Sequence, residues 1–110
     1  MNEAIYRAQI ERTMKPMEAD RKLAMLGLGV SCEASEVADV LKKIVFQGHE
    51  FNRGELVEEL GDLEWYVTHL KKVLDISSDY VRLKNIEKLE ERYPQGFSEK
   101  DSINREEGYS

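Results

Sequence analysis

From Leu56 onward, apolar residues return at intervals of three and four: Leu56, Leu60, Leu63, Val67, Leu70 and Leu74. At about 100° per residue these positions stack into one stripe along an α-helix, whereas a strand would need them at every second position. The segment after Asn52, a good N-cap residue, is therefore an amphipathic helix in need of a partner face. The same spacing recurs upstream in Leu23, Leu26, Val30, Ala34, Val37, Leu41 and Ile44, on a helix starting near Asp20. Gly27 and Gly29 either weaken that helix or admit close packing. A third such helix starts after Ser77 or Ser78 and runs to about Arg92, with Tyr80, Leu83, Ile86 and Leu89 facing inward. A first helix covers Glu3 to Met14 and stops before Pro16, because the residue preceding a proline is pushed out of the α region. Pro94 and Gly96 close the last helix, and the polar tail from about residue 98 is expected to be irregular or held on a partner. The chain reads as one all-α domain over residues 1–110, a four-to-five-helix bundle around a central antiparallel helix hairpin. No repeat or interdomain linker is evident.

Size and charge narrow the function. A chain of 110 residues buries roughly 60 to 70% of its unfolded surface, with little core to spare. Three helices with full apolar stripes exceed what one thin bundle covers, so a homodimer or homotetramer is expected. Acidic residues outnumber basic ones 22 to 16, for a net charge of -6. That balance argues against a nucleic acid polymer or an anionic membrane as the partner. The most apolar stretch, LAMLGLGV, is far too short to span a bilayer, and the start MNEAIYRAQIERT has no long apolar run. The single cysteine, Cys32, offers no disulfide and no thiolate zinc site, which fits a cytoplasmic chain. It reads as a small buried hydrophobe.

Beside the apolar stripes run two acidic pairs. Glu33 and Glu36 lie one turn apart in CEASEVAD, and Glu59 and Asp62 lie one turn apart in EELGDLEW. Like charges at that spacing repel. One such pair in a chain this acidic is ordinarily a solvated helix face. Two at matching offsets are another matter: the midpoint of the first lies about 85° from its helix's stripe, and that of the second about 90°, in the same rotational sense. If the helices pack stripe to stripe and antiparallel, as the short segment from Gln47 to Asn52 implies, both pairs fall on one side of the seam. With a rise of about 1.5 Å per residue, they come level if the first of these helices ends near Lys43 to Val45, leaving Phe46, Gly48 and Asn52 in the loop.

Four converging carboxylates raise one another's pKa or demand a counter-ion. Oxygen donors without histidine or thiolate suit a hard cation, Mg²⁺ or in its place Mn²⁺. A magnesium ion held by few carboxylates keeps positions for water and phosphate oxygens, which points to phosphoryl chemistry.

The arrangement Glu33-x-x-Glu36, 22 intervening residues, then Glu59-x-x-Asp62 within ELGDLEWY resembles the MazG-like all-α nucleoside triphosphate pyrophosphohydrolases. The resemblance continues through NIEKLEERYPQGF and DSINR, and includes Gln9, Arg12 and Thr13 of the first helix. It implies Mg²⁺-dependent hydrolysis of an NTP or dNTP to the monophosphate and pyrophosphate by a dimer or a dimer of dimers. It makes Glu33, Glu36, Glu59 and Asp62 the metal ligands and catalytic acids, with one of the glutamates, Glu36 among them, orienting or deprotonating the attacking water. Lys43, two turns past Glu36, and Asn85, Lys88, Arg92 and Tyr93, which match the family's Asn…Lys…Arg-Tyr segment, are then assigned to phosphate and sugar contacts. Some members carry a further glutamate just before the first pair, where this chain has Cys32.

Other residues carry less. Trp65 either stacks on a base or packs in the interior, the second being the ordinary role. His49 in the hairpin loop and His69 on the helix after it have no second histidine at ligand spacing, and are expected at the surface or beside the site. Met14, Met17 and Met25 read as packing. The competing class is a helical interaction module, in which the acidic face serves solubility and the near-heptad stripe binds a partner.

Overall fold

The computed structural model describes residues 1–97 and 99–108, without the side chains of 101 and 105–108. The described chain is all-helical: α1 (Glu3–Glu11), α2 (Ala19–Phe46), α3 (Arg53–Val73), α4 (Ser78–Arg92) and α5 (Glu99–Gly108). It divides into two compact units, Met1–Asp75 and Ile76–Ser110.

In the first unit, α2 and α3 form the central hairpin and α1 packs on α3. Several boundaries have a local cause. The Asn2 side chain accepts the Ile5 N–H at 2.9 Å and starts α1. Asn52 does the same for α3, taking the Glu55 N–H at 3.1 Å, so donors that have no partner inside the first turn find one in the cap. α1 stops at Glu11, a turn short of the expected Met14. There the Thr13 N–H and hydroxyl both turn back to the Ile10 carbonyl, at 3.0 and 2.7 Å.

α2 continues to Phe46, beyond the expected end near Lys43 to Val45. Level packing survives because the loop doubles back. Gly48 adopts φ 72°, a left-handed conformation open to glycine without strain. The N–H groups of Gln47 and His49 both close on the Lys43 carbonyl, at 3.2 and 3.0 Å. The chain thus reverses beside the last turn of α2 rather than below it.

Leu26 is fully buried, with Ile10 and Val40 close to it in burial. The buried positions of α3 include two polar ones, Thr68 and His69. Gly29 is buried where α2 meets α3, and a Cβ there would fall inside the Tyr66 ring. Of the two readings of the paired glycines, close packing holds at Gly29; Gly27 has nothing within 4 Å of such a Cβ. Cys32 corrects an expectation: it is exposed rather than buried.

In the second unit, the Ser77 hydroxyl caps α4 by accepting the Tyr80 N–H at 3.0 Å. Tyr80, Leu83, Ile86 and Leu89, expected to face inward, are 41 to 53% exposed. The helix is amphipathic as read, but a stripe specifies which face is apolar and not what covers it. After α4, Gly96 at φ 86° turns the chain, and the Tyr93 and Phe97 rings meet at 5.7 Å. The tail differs from its expectation too, since α5 occupies Glu99–Gly108.

Candidate metal centre

The contact of Gly29 with Tyr66 sets the register of the hairpin. Four residues on from Gly29 along α2 stands Glu33, and four residues back from Tyr66 along α3 stands Asp62. Because the helices run in opposite directions, the two carboxylates come level. Among the described residues, Glu33, Glu59 and Asp62 each offer an oxygen lying within 4.8 Å of the others. Glu33 and Glu59 are half-buried and Asp62 is exposed. Glu36 is exposed and stands outside this group of oxygens. Its charge nonetheless reaches the site: partial burial, then the charges of Asp62, Glu36, Glu33 and Glu55, push the Glu59 carboxyl above its ordinary range. The structure thus brings three of the four expected acids together and leaves the fourth in the second rank of the same field.

All donors in the group are carboxylate oxygens, the set that hard divalent cations take. Mutual repulsion in a half-buried place is what such a cation relieves. The residues present therefore fit Mg²⁺ or Mn²⁺.

The expected phosphate contacts fall into two sets. Lys43 ion-pairs with Asp39 at 2.9 Å, one turn back on α2. Its ammonium is held in the charged form above its ordinary value, by Asp39 first and by Glu55 and Glu36 after it. The pair is at the surface, where solvent keeps such contacts weak. Asn85, Lys88 and Arg92 are exposed on α4, and their spacing of three and four puts them on one helix face. Tyr93 is half-buried and follows α4 as its C-cap.

Trp65 takes the packing role. Its indole N–H donates to the Thr13 hydroxyl at 2.8 Å, and its ring meets those of Tyr66 and His69 edge-on at 4.8 and 4.3 Å. His69 corrects the surface expectation: it is 1% exposed and lies 3.2 Å from the Ile10 carbonyl. Tyr6 was not singled out in the sequence. It lines a cleft of about 280 Å³ with Met1, Asn2, Glu3, Gly61 and Glu64. An aromatic residue in a short first helix gives no signal of which later helix it will meet.

A family profile described as the MazG nucleotide pyrophosphohydrolase domain matches residues 22–97. The match covers α2 from its second turn with both of its acids, and all of α3 and α4. The chain belongs to the MazG nucleotide pyrophosphohydrolase domain family. The Gene 37 protein of Mycobacterium phage L5 is 34% identical over 87 residues, which is 76% of each chain. No solved structure matches. In this MazG chain the matched segment begins after α1. No helix among the described residues is long and apolar enough to cross a membrane.

Proposed function

We propose that residues 1–110 form a single cytoplasmic enzyme domain, a Mg²⁺-dependent nucleoside triphosphate pyrophosphohydrolase that converts an NTP or dNTP to its monophosphate and pyrophosphate. The observation that carries the reading is the approach of Glu33 to Glu59 and Asp62 from two helices, within a MazG domain. Glu33, Glu59 and Asp62, with Glu36 at the edge, would hold Mg²⁺, or Mn²⁺ as a substitute. When bound, such an ion neutralises charge on the phosphates and makes water more acidic.

The chain's residues would do the rest. Glu36, exposed and outside the tight group, orients water and takes its proton as the water oxygen bonds to the α-phosphorus. The α,β-anhydride bond breaks and pyrophosphate leaves with the electron pair. Lys43 exchanges its surface contact with Asp39 for a phosphate oxygen. Asn85, Lys88, Arg92 and Tyr93 contact phosphate and sugar. Positive charge away from the acids matters because phosphoryl transfer is catalysed mainly by placement and charge neutralisation.

A second copy of the chain fits the exposed apolar face of α4, where Leu83 and Ile86 are about half exposed, and a homodimer or homotetramer follows. The test is to incubate the protein with a panel of NTPs and dNTPs, with Mg²⁺ or with EDTA, and to separate the products. Monophosphate and pyrophosphate should form together, and only with the metal. Release that survives chelation, or none from any nucleotide, would favour the interaction module.

A further inference from the structure

The side of α2 turned away from Glu33 carries an apolar face that is open to solvent. At about 100° per residue counted from Ser31, Leu23 and Leu41 fall about 80° to one side and Leu28 about 60° to the other. Leu23 and Leu41 are 43 and 42% exposed, and Leu28 is 69% exposed. Between these edges run Ala24, Ser31 and Ala38, all exposed and spaced by seven, the repeat of a helix–helix seam. The Ser35 hydroxyl donates to the Ser31 carbonyl at 3.0 Å, so its proton is satisfied within the helix. Every residue of this sector between Asp20 and Lys42 is uncharged. In a chain with 35% charged residues, so long an exposed face without one marks a contact surface rather than a solvated one.

Opposite charges close the two ends of the face, and they name its occupant. Asp20, in the first turn of α2, and Lys42 each stand eleven residues from Ser31, about 20° to either side of it around the helix. A second α2 laid antiparallel about a twofold axis at Ser31 sets residue i against residue 62 − i. Asp20 then meets Lys42, Ala24 meets Ala38 and Leu28 meets Ala34, so a large side chain seats over a small one and the backbones can approach. A parallel pair would set Asp20 against Asp20 and Lys42 against Lys42. The pattern is thus complementary to itself, as an isologous contact requires. Lys42 lies 3.7 Å from Asp39 at the surface, where such a contact is weak, and the Asp20 carboxylate, which accepts the Arg21 N–H at 3.0 Å, has acceptor capacity beyond it.

We propose that two copies of the chain associate through this face of α2, antiparallel about a twofold axis at Ser31, with Asp20 of each copy against Lys42 of the other. The surface is separate from the apolar face of α4, so a chain that uses both assembles as a pair of pairs. Glu33 lies about 160° around α2 from Ser31, which turns the acid group away from the partner. The contact therefore needs neither metal nor nucleotide.

The test is sedimentation of the full chain, without nucleotide, as wild type, Asp20→Lys, Lys42→Asp and the double variant Asp20→Lys/Lys42→Asp, each checked by circular dichroism for its helix content. The wild type should sediment as a self-associated species. Each single swap places like charges at both ends of the contact and should weaken association about tenfold. The double swap restores opposite charges and should return to within about threefold of the wild type. In about 1 M salt, where the screening length is about 3 Å, the four proteins should converge. Cross-linking locates the axis independently of charge. Ser31→Cys in a Cys32→Ser background should give a disulfide-linked dimer under mild oxidation, because residues on the axis come within the roughly 7 Å between Cα atoms that a disulfide allows. Ser35→Cys in the same background should not, since its two copies stand about 12 Å apart along the paired helices. A monomeric wild type, single swaps without effect, a double variant weaker than either single one, or equal cross-linking at the two cysteine positions would overturn the proposal.

Discussion

Gly29→Ala and Gly27→Ala are the same chemical change two residues apart on α2, and the structure assigns them opposite signs. Replacing glycine by alanine inside a helix is favourable by about 0.8 to 1.0 kcal/mol. At Gly27 a new methyl meets nothing within 4 Å, so the variant should realise that gain, with Tm rising about 4 to 8 °C per kcal/mol for a domain of this size. At Gly29 the methyl would fall inside the Tyr66 ring. That ring is braced edge-on against Trp65 at 4.8 Å and 69°, so it cannot slide without disturbing a second aromatic. Forcing a methyl into a packed place costs about 1 to 3 kcal/mol. The propensity gain is common to both variants, so the difference between them isolates the packing cost: Gly29→Ala should lie about 1 to 3 kcal/mol below Gly27→Ala. Urea unfolding with an unchanged m-value measures it. Spreading α2 from α3 one turn from Glu33 and Asp62 should also weaken Mn²⁺ binding in Gly29→Ala and leave it unchanged in Gly27→Ala. Equal midpoints for the two variants would refute the register on which the metal centre stands.

Three further outcomes follow from single residues. Asn52→Ala removes the 3.1 Å cap on the Glu55 N–H and should cost about 0.5 to 2 kcal/mol in urea unfolding. Burial holds His69 below its ordinary pKa, with its contact to Ile10 and the Glu11 charge opposing and the Lys72 and Lys22 charges reinforcing. The unfolded chain therefore takes up this proton first, and the stability His69 confers is full above about pH 6.5 and is lost below it as pH falls toward the lower pKa of the folded state. His69→Gln should flatten that part of the curve, and an unchanged curve would show that the imidazole is not buried neutral. Cys32, being exposed, should react with a thiol reagent in the native protein without denaturant, and a reaction that waits on unfolding would show it covered in solution.

The period of Leu56 to Leu74 was enough to place α3, and Asn52 to start it, because a cap and a stripe are local properties. The rotational offsets of Glu33 and of Glu59 with Asp62 were legible for the same reason: a helix fixes the angle between any two of its residues. Axial register was legible only in part. The expected stop at Lys43 to Val45 missed the reversal at Gly48, which achieves the same alignment with a longer α2. Burial was the least legible quantity. His69 is a polar residue outside the leucine pattern, and it is buried because the Ile10 carbonyl, 59 residues away in sequence, meets its N–H. Cys32 shows the converse, a residue of a type usually buried that lies on the open side of α2. Leu83 and Ile86 sit on a face whose covering partner no single-chain pattern can name. Tyr6 and the cleft it lines depend on how α1 packs against α3, a pairing set by residues far apart in the chain.

The claim under all of this is that Glu33, Glu59 and Asp62 crowd together in order to share a divalent ion. Thermal unfolding of the wild type and Glu59→Gln, each with and without Mg²⁺, tests it in one measurement. The substitution keeps the shape of the side chain and removes a charge that its neighbours disfavour. Without metal the variant should unfold at a higher temperature than the wild type. With metal only the wild type should gain. A variant that is less stable without Mg²⁺, or that responds to it as fully as the wild type, would contradict the account.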